Sequence, residues 1–359
     1  MKNQINYLQL CSLLVMIIAT SFLGVGFIGL IKVAQIDAWL SIIIGGMIGI
    51  ILICAFIYIF NYEPDLSINQ KITKLFGQKL GFIINTINFL IILMIGINMM
   101  YNFVNFIVSQ FLSETPFWLI GILFSLIIIL ANIKGIETIS RTSLILVVIN
   151  LILFLISVMG LLPEIKIDNF KPFLEYGINR PLLGSIYIVT INILPIFALL
   201  IIPKKQILEN KHYKKYFFFN YILVIIVMLI TLVDVIGNLG IELTSNYQYP
   251  EYIVLKRISI FNFLDRIENV LVIQWIFGIF ITISMVVYYL SNSIKYNHQN
   301  KFPPILITTI ILILALTLFP NNTMFNQYSY YIVPYIRAIL LISFILISIK
   351  IKLKRKSLK

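Results

Sequence analysis

Long apolar runs alternate with short polar segments along the whole chain. Runs of about 18 to 28 residues have the length that an α-helix needs to cross the hydrocarbon core of a bilayer. Ten such runs cover approximately residues 8–31, 38–60, 82–109, 116–133, 142–163, 183–202, 216–238, 267–290, 304–320 and 330–350. The pattern predicts an all-α polytopic membrane protein with ten transmembrane helices. We expect a single transmembrane domain over residues 1–359 that ends in a basic tail at 351–359.

The first apolar run contains a weak point for a helix. Three glycines interrupt the stretch 17–31, and glycine has a low helix propensity because it adds backbone freedom. In lipid, backbone groups released from a helix must be satisfied by protein or by a ligand. The pattern therefore predicts that helix 1 is interrupted and that its freed N–H groups bind the carboxylate of a ligand at Gly24, Val25, Gly26 and Phe27.

Predicted helix 6 contains a second candidate interruption. Asn192 and Pro195 lie near its middle, and an internal proline removes one backbone hydrogen bond and clashes with the preceding turn. Helices 1 and 6 occupy the same place in two sets of five, and an odd number of spans gives the two sets opposite orientations. This arrangement predicts an inverted repeat, about 8–163 and about 183–350, with a central binding site as in secondary transporters.

Composition and charge fit this topology. Hydrophobic residues make up 60% of the chain and charged residues 11%, against roughly 45–50% and 25% in soluble domains. The net charge of +13 is concentrated in segments that lie on one side if both termini are cytoplasmic, as the positive-inside rule requires. The basic balance therefore indicates membrane topology and no nucleic-acid partner. The sequence contains no catalytic or metal-binding motif, so we expect no enzyme activity, cofactor or metal.

Polar residues mark one face of helix 3 and one of helix 8. Asn98 and Asn102 are four residues apart with Tyr101 beside them, and Gln274 and Gly278 have the same spacing, which places each pair on one helical face. One interpretation is hydrogen bonding between helices, which buried polar groups in lipid need. The other is a polar wall that faces a binding cavity. Both remain open at this point.

Charged residues offer further candidates. Asp234 lies inside helix 7, and we favour a structural ion pair with Arg337 of helix 10 over a role in proton transfer. A cluster at the outer edge of helix 8 has two interpretations, a structural or signalling latch and a site of ligand capture. The latch is favoured because its acids lie at a helix N-terminus. The cluster consists of Arg257, Asp265, Arg266 and Glu268.

The segment around this cluster resembles the spore-germination permease family, the B subunits of bacterial endospore germinant receptors. In the family an aromatic–proline pair precedes a pattern close to basic–hydrophobic–Phe–acidic–Arg–hydrophobic–Glu, and the next helix has an early tryptophan. The matching residues here are Tyr249-Pro250, Lys256-Arg257, Phe261 to Phe263, Asp265-Arg266, Glu268 and Trp275. Asp37-Ala38-Trp39 after the glycine-rich first helix also fits.

The resemblance implies an amino acid–polyamine–organocation (APC) superfamily fold, with a small-molecule pocket bounded mainly by helices 1, 3, 6 and 8. It also implies a receptor for nutrients such as amino acids in the spore inner membrane, alongside an A subunit and a lipoprotein C subunit. Relatives often carry a glycine and an acidic residue near the break of helix 6, whereas this chain has Asn192, Pro195 and Phe197 there.

Three functions follow as hypotheses. In the first, the chain is a receptor subunit that binds a germinant in mid-membrane and signals to its partner subunits. The second is an ion- or proton-coupled amino-acid transporter of the same fold. The third is a structural scaffold for the other subunits.

Overall fold

The computed structural model describes residues 4–175, 177–208, 212–256, 268–294 and 301–357, without the side chains of residues 25, 356 and 357. The described part is built from α-helices joined by short turns. In chain order these are α1 (Tyr7–Phe22), α2 (Val25–Ala34), α3 (Ala38–Phe60), α4 (Ile68–Phe76), α5 (Gln78–Gln110), α6 (Phe117–Lys134), α7 (Ile136–Leu161), α8 (Asn179–Leu199), α9 (Tyr213–Asn246), α10 (Pro250–Lys256), α11 (Glu268–Ser293), α12 (Phe302–Thr317), α13 (Asn322–Gln327) and α14 (Val333–Ser357). A π-helical turn, Tyr328–Ile332, leads into α14.

The helices have the dimensions of a membrane bundle. Among the described residues, eight helical stretches are long and apolar enough to cross a membrane, and two more apolar helices, Tyr7–Phe22 and Phe302–Thr317, are shorter. The outward faces carry large apolar side chains, such as Ile152 and Met159 on α7, which are 55% and 72% exposed. Such a surface is stable in lipid and not in water. The chain is therefore an integral, multi-pass membrane protein.

Helix α8 lies at the centre of the bundle. In the most apolar stretch of α8, 83% of the residues are buried. In the corresponding stretch of the span 136–164, which contains α7, 17% are buried. It packs against α1, α2, α3 and α14. The expected interruption at Pro195 is absent, because α8 continues as an α-helix to Leu199. Pro195 lies in the last two turns and is surrounded by buried neighbours, so tertiary packing outweighs the one hydrogen bond that it removes.

The first transmembrane segment consists of two helices. Helix α1 starts with a capping box in which the Asn6 side chain accepts from the backbone of Gln9, and this box satisfies two free N–H groups. It ends at Phe22, and α2 begins at Val25. Between them Gly24 adopts φ 67° and ψ −115°, a conformation that only glycine takes up without strain. The glycine-rich stretch thus separates α1 from α2.

The short helix α4 lies at one end of the bundle and carries a buried lysine. Lys71 is 1% exposed, and its Nζ donates to the carbonyl oxygen of Ile59 over 3.0 Å, near the carboxyl end of α3. Burial lowers the pKa of Lys71 from 10.5 to about 8. The Lys71 amine therefore caps the carboxyl end of α3, but its charged form is destabilised by burial.

This lysine predicts that stability depends on pH. Between pH 8 and pH 10.5 the folded protein loses the Lys71 proton while the unfolded chain keeps it, so stability rises with pH in this window. The shift corresponds to an increase on the order of 3 kcal/mol. Unfolding of the detergent-solubilised protein at about pH 7.5 and about pH 10, near the two ends of the window, measures this increase. In Lys71→Met the increase should be missing, and an unchanged pH dependence in that variant would refute the assignment.

Candidate functional site

The junction between α1 and α2 is held by a carboxylate from the other half of the chain. The backbone N–H of Gly24 donates to Oε1 of Glu251. Glu251 lies on α10 and is 3% exposed. Helix N-termini favour negative charge because their first N–H groups lack partners within the helix. The short helix α10 is thereby attached to the point where the first transmembrane segment is interrupted.

A cavity with polar walls lies beside this junction. It is bounded by the end of α1, by α2, α5, α8 and α11, and by the segment that leads into α14. Its walls include Gly26, Asn98, Asn102, Tyr187, Trp275 and Arg337. The volume open to the centre of a water molecule is about 20 Å³, which holds about one water. A molecule larger than water can enter only if the surrounding helices move apart.

Some of the wall groups already have partners. Asn98 donates through Nδ2 to Oγ of Ser329 over 2.5 Å. The hydroxyl of Tyr249 donates to Oδ1 of Asn102 over 3.1 Å and accepts from Nδ2 of Asn105. These bonds connect α5 to the π-helical turn and to the residue before α10. The polar face of predicted helix 3 therefore both joins helices and lines a cavity.

Other wall groups have no hydrogen-bond partner among the described residues. They are Oγ of Ser21, Nε1 of Trp275 and Nε of Arg337. The residues are 4%, 3% and 6% exposed, respectively. Because buried polar atoms normally form hydrogen bonds, three such atoms around one cavity indicate a place where a polar group binds.

A second, mostly apolar cavity of about 90 Å³ lies between α1, α7, α9 and α10. Asp234, Glu251 and Gln274 contribute polar atoms to its wall. Gln274 and Asn150 exchange hydrogen bonds, since each side-chain amide donates to the backbone carbonyl of the other over 3.1 and 3.2 Å. This exchange joins α7 to α11.

The predicted ion pair between Asp234 and Arg337 is wrong for this structure. Among the described residues, neither takes part in an ion pair. Asp234 lines the apolar cavity and Arg337 lines the polar one. The reason is helix order: α9 packs against α1, α3 and α7, whereas α14 packs against α3, α5 and α8. Asp234 and Arg337 were expected to pair because of their similar depth in the membrane, but they lie on helices that are not neighbours.

The structure brings some predicted site residues together and leaves others apart. Gly26, Asn98 and Asn102 line the polar cavity and Gly24 adjoins it, whereas Phe27 is buried against Phe22 with ring centroids 5.5 Å apart. Tyr101 lies in an aromatic cluster with the rings of Phe117, Phe319 and Phe325.

The remaining predicted residues lie elsewhere. Asn192 donates to the hydroxyl of Tyr221 over 2.8 Å and, like Pro195, lines neither cavity. Gly278 provides the close contact between α11 and α1, since an added Cβ would lie 2.0 Å from Oγ1 of Thr20. Val25 is the first residue of α2, and its side chain lies outside the described part.

The charge cluster is described only in part. Glu268 begins α11 and is 9% exposed. Arg257, Asp265 and Arg266 lie outside the described residues. The latch interpretation therefore stays a prediction.

Several residues of the site are not among those predicted from the sequence. Arg337 was noticed but assigned to Asp234, although its position as a basic residue inside an apolar run was a signal in its own right. Trp275 was used only as a family marker. Glu251 and Tyr187 carried no signal, because their proximity to the interrupted helix depends on how α10 and α8 pack.

Comparison with known proteins identifies the class. The family described as "Spore germination protein" matches residues 5–326. The chain belongs to this family, so the resemblance seen in the sequence is confirmed. It is 25% identical to spore germination protein KB of Bacillus subtilis (strain 168) over 79% of this chain and 78% of that protein. It is 23% identical to spore germination protein A2 of the same organism over 95% of both chains.

Solved structures show the fold. The crystal structure of a mutant manganese transporter of Eremococcus coleocola superimposes with a TM-score of 0.64, at 14% sequence identity, over 95% of this chain and 78% of that one. At this identity the similarity concerns the fold alone. The chain has the same overall fold as this protein.

Proposed function

We propose that this chain is the nutrient-sensing B subunit of an endospore germinant receptor. The observation that carries the proposal is the polar cavity beside the interrupted first transmembrane segment, in a chain of the spore germination family. The germinant is a small molecule, most simply an amino acid. It binds in the cavity that α1, α2, α5, α11 and α14 surround.

Binding is coupled to a change of shape. The cavity holds about one water molecule, so a nutrient stabilises a conformation in which the helices around it have separated. A ligand shifts such an equilibrium only by its difference in affinity for the two states. Glu251 links α10 to Gly24, so movement at the interruption is transmitted to α10. Partner subunits read that movement.

The proposal includes the topology and the partners. Ten apolar segments cross the membrane as two inverted sets of five, about 8–163 and about 183–350, in one domain. Both termini are cytoplasmic, and the membrane is the spore inner membrane. The partners are a receptor A subunit and a lipoprotein C subunit. Eight long apolar helices and two shorter ones, Tyr7–Phe22 and Phe302–Thr317, support a count of ten.

Uptake separates a receptor from a transporter. A receptor should respond to its nutrient in spores, whereas proteoliposomes that contain the purified chain should accumulate no labelled amino acid above protein-free vesicles. Saturable accumulation driven by a proton or sodium gradient would instead favour the transporter, which the fold also permits. The gene is also deleted from a strain that lacks related receptors. If that strain germinates as before, both the sensing role and the scaffold role are rejected.

A further inference from the structure

We propose that the polar cavity is a carboxylate site in which Arg337 and Trp275 hold the carboxylate of a small amino acid. This inference rests on the proposed function and names the chemical class of the nutrient. It concerns residues outside the interrupted helix itself, on α14 and α11.

Arg337 is a buried cation without a carboxylate partner in the described part of the chain. Its side chain lies in the cavity wall, 6% exposed, and Tyr187 lines the same cavity. Removing a charge from water is costly unless an opposite charge or several hydrogen bonds compensate. Within membranes such residues usually mark substrate or ion pathways. An anionic ligand supplies the missing partner.

The unpartnered atoms indicate that the ligand group is a hydrogen-bond acceptor. Nε1 of Trp275 and Nε of Arg337 are donors only, and the hydroxyl of Ser21 can also donate. Three donors around one small cavity match a group that only accepts hydrogen bonds. A carboxylate has two oxygens that accept in several directions, and guanidinium–carboxylate bonds are among the strongest in proteins.

The end of α1 also suits an ammonium group. Thr20 and Ser21 belong to the last turn of α1 and line the same cavity. The carbonyl groups at the end of a helix lack partners within it and carry partial negative charge. By contrast, the N–H of Gly24 at the start of α2 is already bonded to Glu251. The cavity thus offers donors on α11 and α14 and carbonyl groups on α1, as the two ends of an amino acid require.

Spore germination tests this assignment with paired probes. The probes are glycine, L-alanine and L-valine, each compared with its C-terminal amide, which lacks the negative charge. Spores with the unaltered chain should respond to at least one amino acid and need roughly 10–100-fold more of its amide, since a hydrogen bond to a charged group contributes that much. Spores that carry Arg337→Met should need roughly 10–100-fold more of the amino acid than the parent spores. They should respond equally to the amino acid and to its amide.

Controls separate binding from folding. Trp275→Phe keeps an aromatic ring but removes Nε1–H, and should reduce the preference for the acid by about tenfold. Arg337→Lys should restore part of the preference. Arg355 lies near the end of the same helix, and Arg355→Gln should leave the preference for the amino acid over its amide unchanged. Immunoblots of spore membranes establish equal amounts of each variant.

Two results would overturn the carboxylate site. One is an unchanged ratio of acid to amide in Arg337→Met and Trp275→Phe at equal protein levels. The other is germination through this receptor only by nutrients that carry no carboxylate group. In either case the proposed sensing function stands if a nutrient still raises the melting temperature of the chain, so the two failures are distinguishable.

Discussion

Replacing Gly26 by alanine is expected to prevent the chain from accumulating in the membrane. A Cβ at this position would lie 2.1 Å from the carbonyl oxygen of Ser21, a distance that no carbon–oxygen contact tolerates. Because the obstacle is backbone, the turn between α1 and α2 has to rearrange. Overpacking of this kind costs about 3 kcal/mol or more. Thermal unfolding of the detergent-solubilised variant and its level in membranes measure the loss.

Gly121→Ala is the matched control. There the nearest atom to an added Cβ is Cδ1 of Leu312, at 2.5 Å, and the end of a leucine side chain can move. The change should alter the free energy of unfolding by about 1 kcal/mol or less, partly because alanine favours the helix. Equal stability of the two variants would show that the turn at Gly26 is not as tight as the structure indicates. Because Gly26 variants report on folding, they cannot test ligand binding, and Arg337 is the better position for that purpose.

Replacing Glu251 by leucine should release α10 from the interrupted segment. The N–H of Gly24 would lose its acceptor in a buried environment, which costs about 1–3 kcal/mol. We therefore expect a lower melting temperature and faster proteolysis near α10. Limited proteolysis of inverted and right-side-out vesicles locates the cleavage site.

Glu251→Gln is the informative comparison for this position. Glutamine keeps the size of the side chain and an Oε1 atom that accepts from Gly24, so it should retain most of the stability lost in Glu251→Leu. If both variants behave alike, the hydrogen bond contributes little and α10 is held by packing alone. If neither differs from the parent chain, the contact between Glu251 and Gly24 is absent in the membrane.

Local signals in the sequence account for most of the fold. The apolar runs marked the membrane helices because lipid permits little else, and glycine marked the junction at Gly24 because φ 67° disfavours other residues. Pro195 was a weaker signal. Its effect depends on the packing around α8, which the sequence does not display, and the helix there continues to Leu199.

The candidate site was only partly accessible from the sequence. Asn98 and Asn102 were identified because polar residues in a membrane helix are costly and their four-residue spacing places them on one face. The role of Arg337 depended on which cavity it lines, and that follows from helix order. Glu251 was undetectable, since the chain separates it from Gly24 by 227 positions.

Ligand-induced stabilisation shows whether this chain binds the nutrient to which the spores respond. The melting temperature of the epitope-tagged chain, with its partner subunits, is measured in spore membrane vesicles with single amino acids added in turn. A ligand at about 100 times its dissociation constant stabilises the folded state by about 2.7 kcal/mol. We predict a higher melting temperature with the amino acids that trigger germination through this receptor, and a smaller increase in Arg337→Met at the same concentrations. Nutrient binding by this chain would be excluded if those amino acids left the melting temperature of the unaltered chain unchanged at concentrations that germinate the spores.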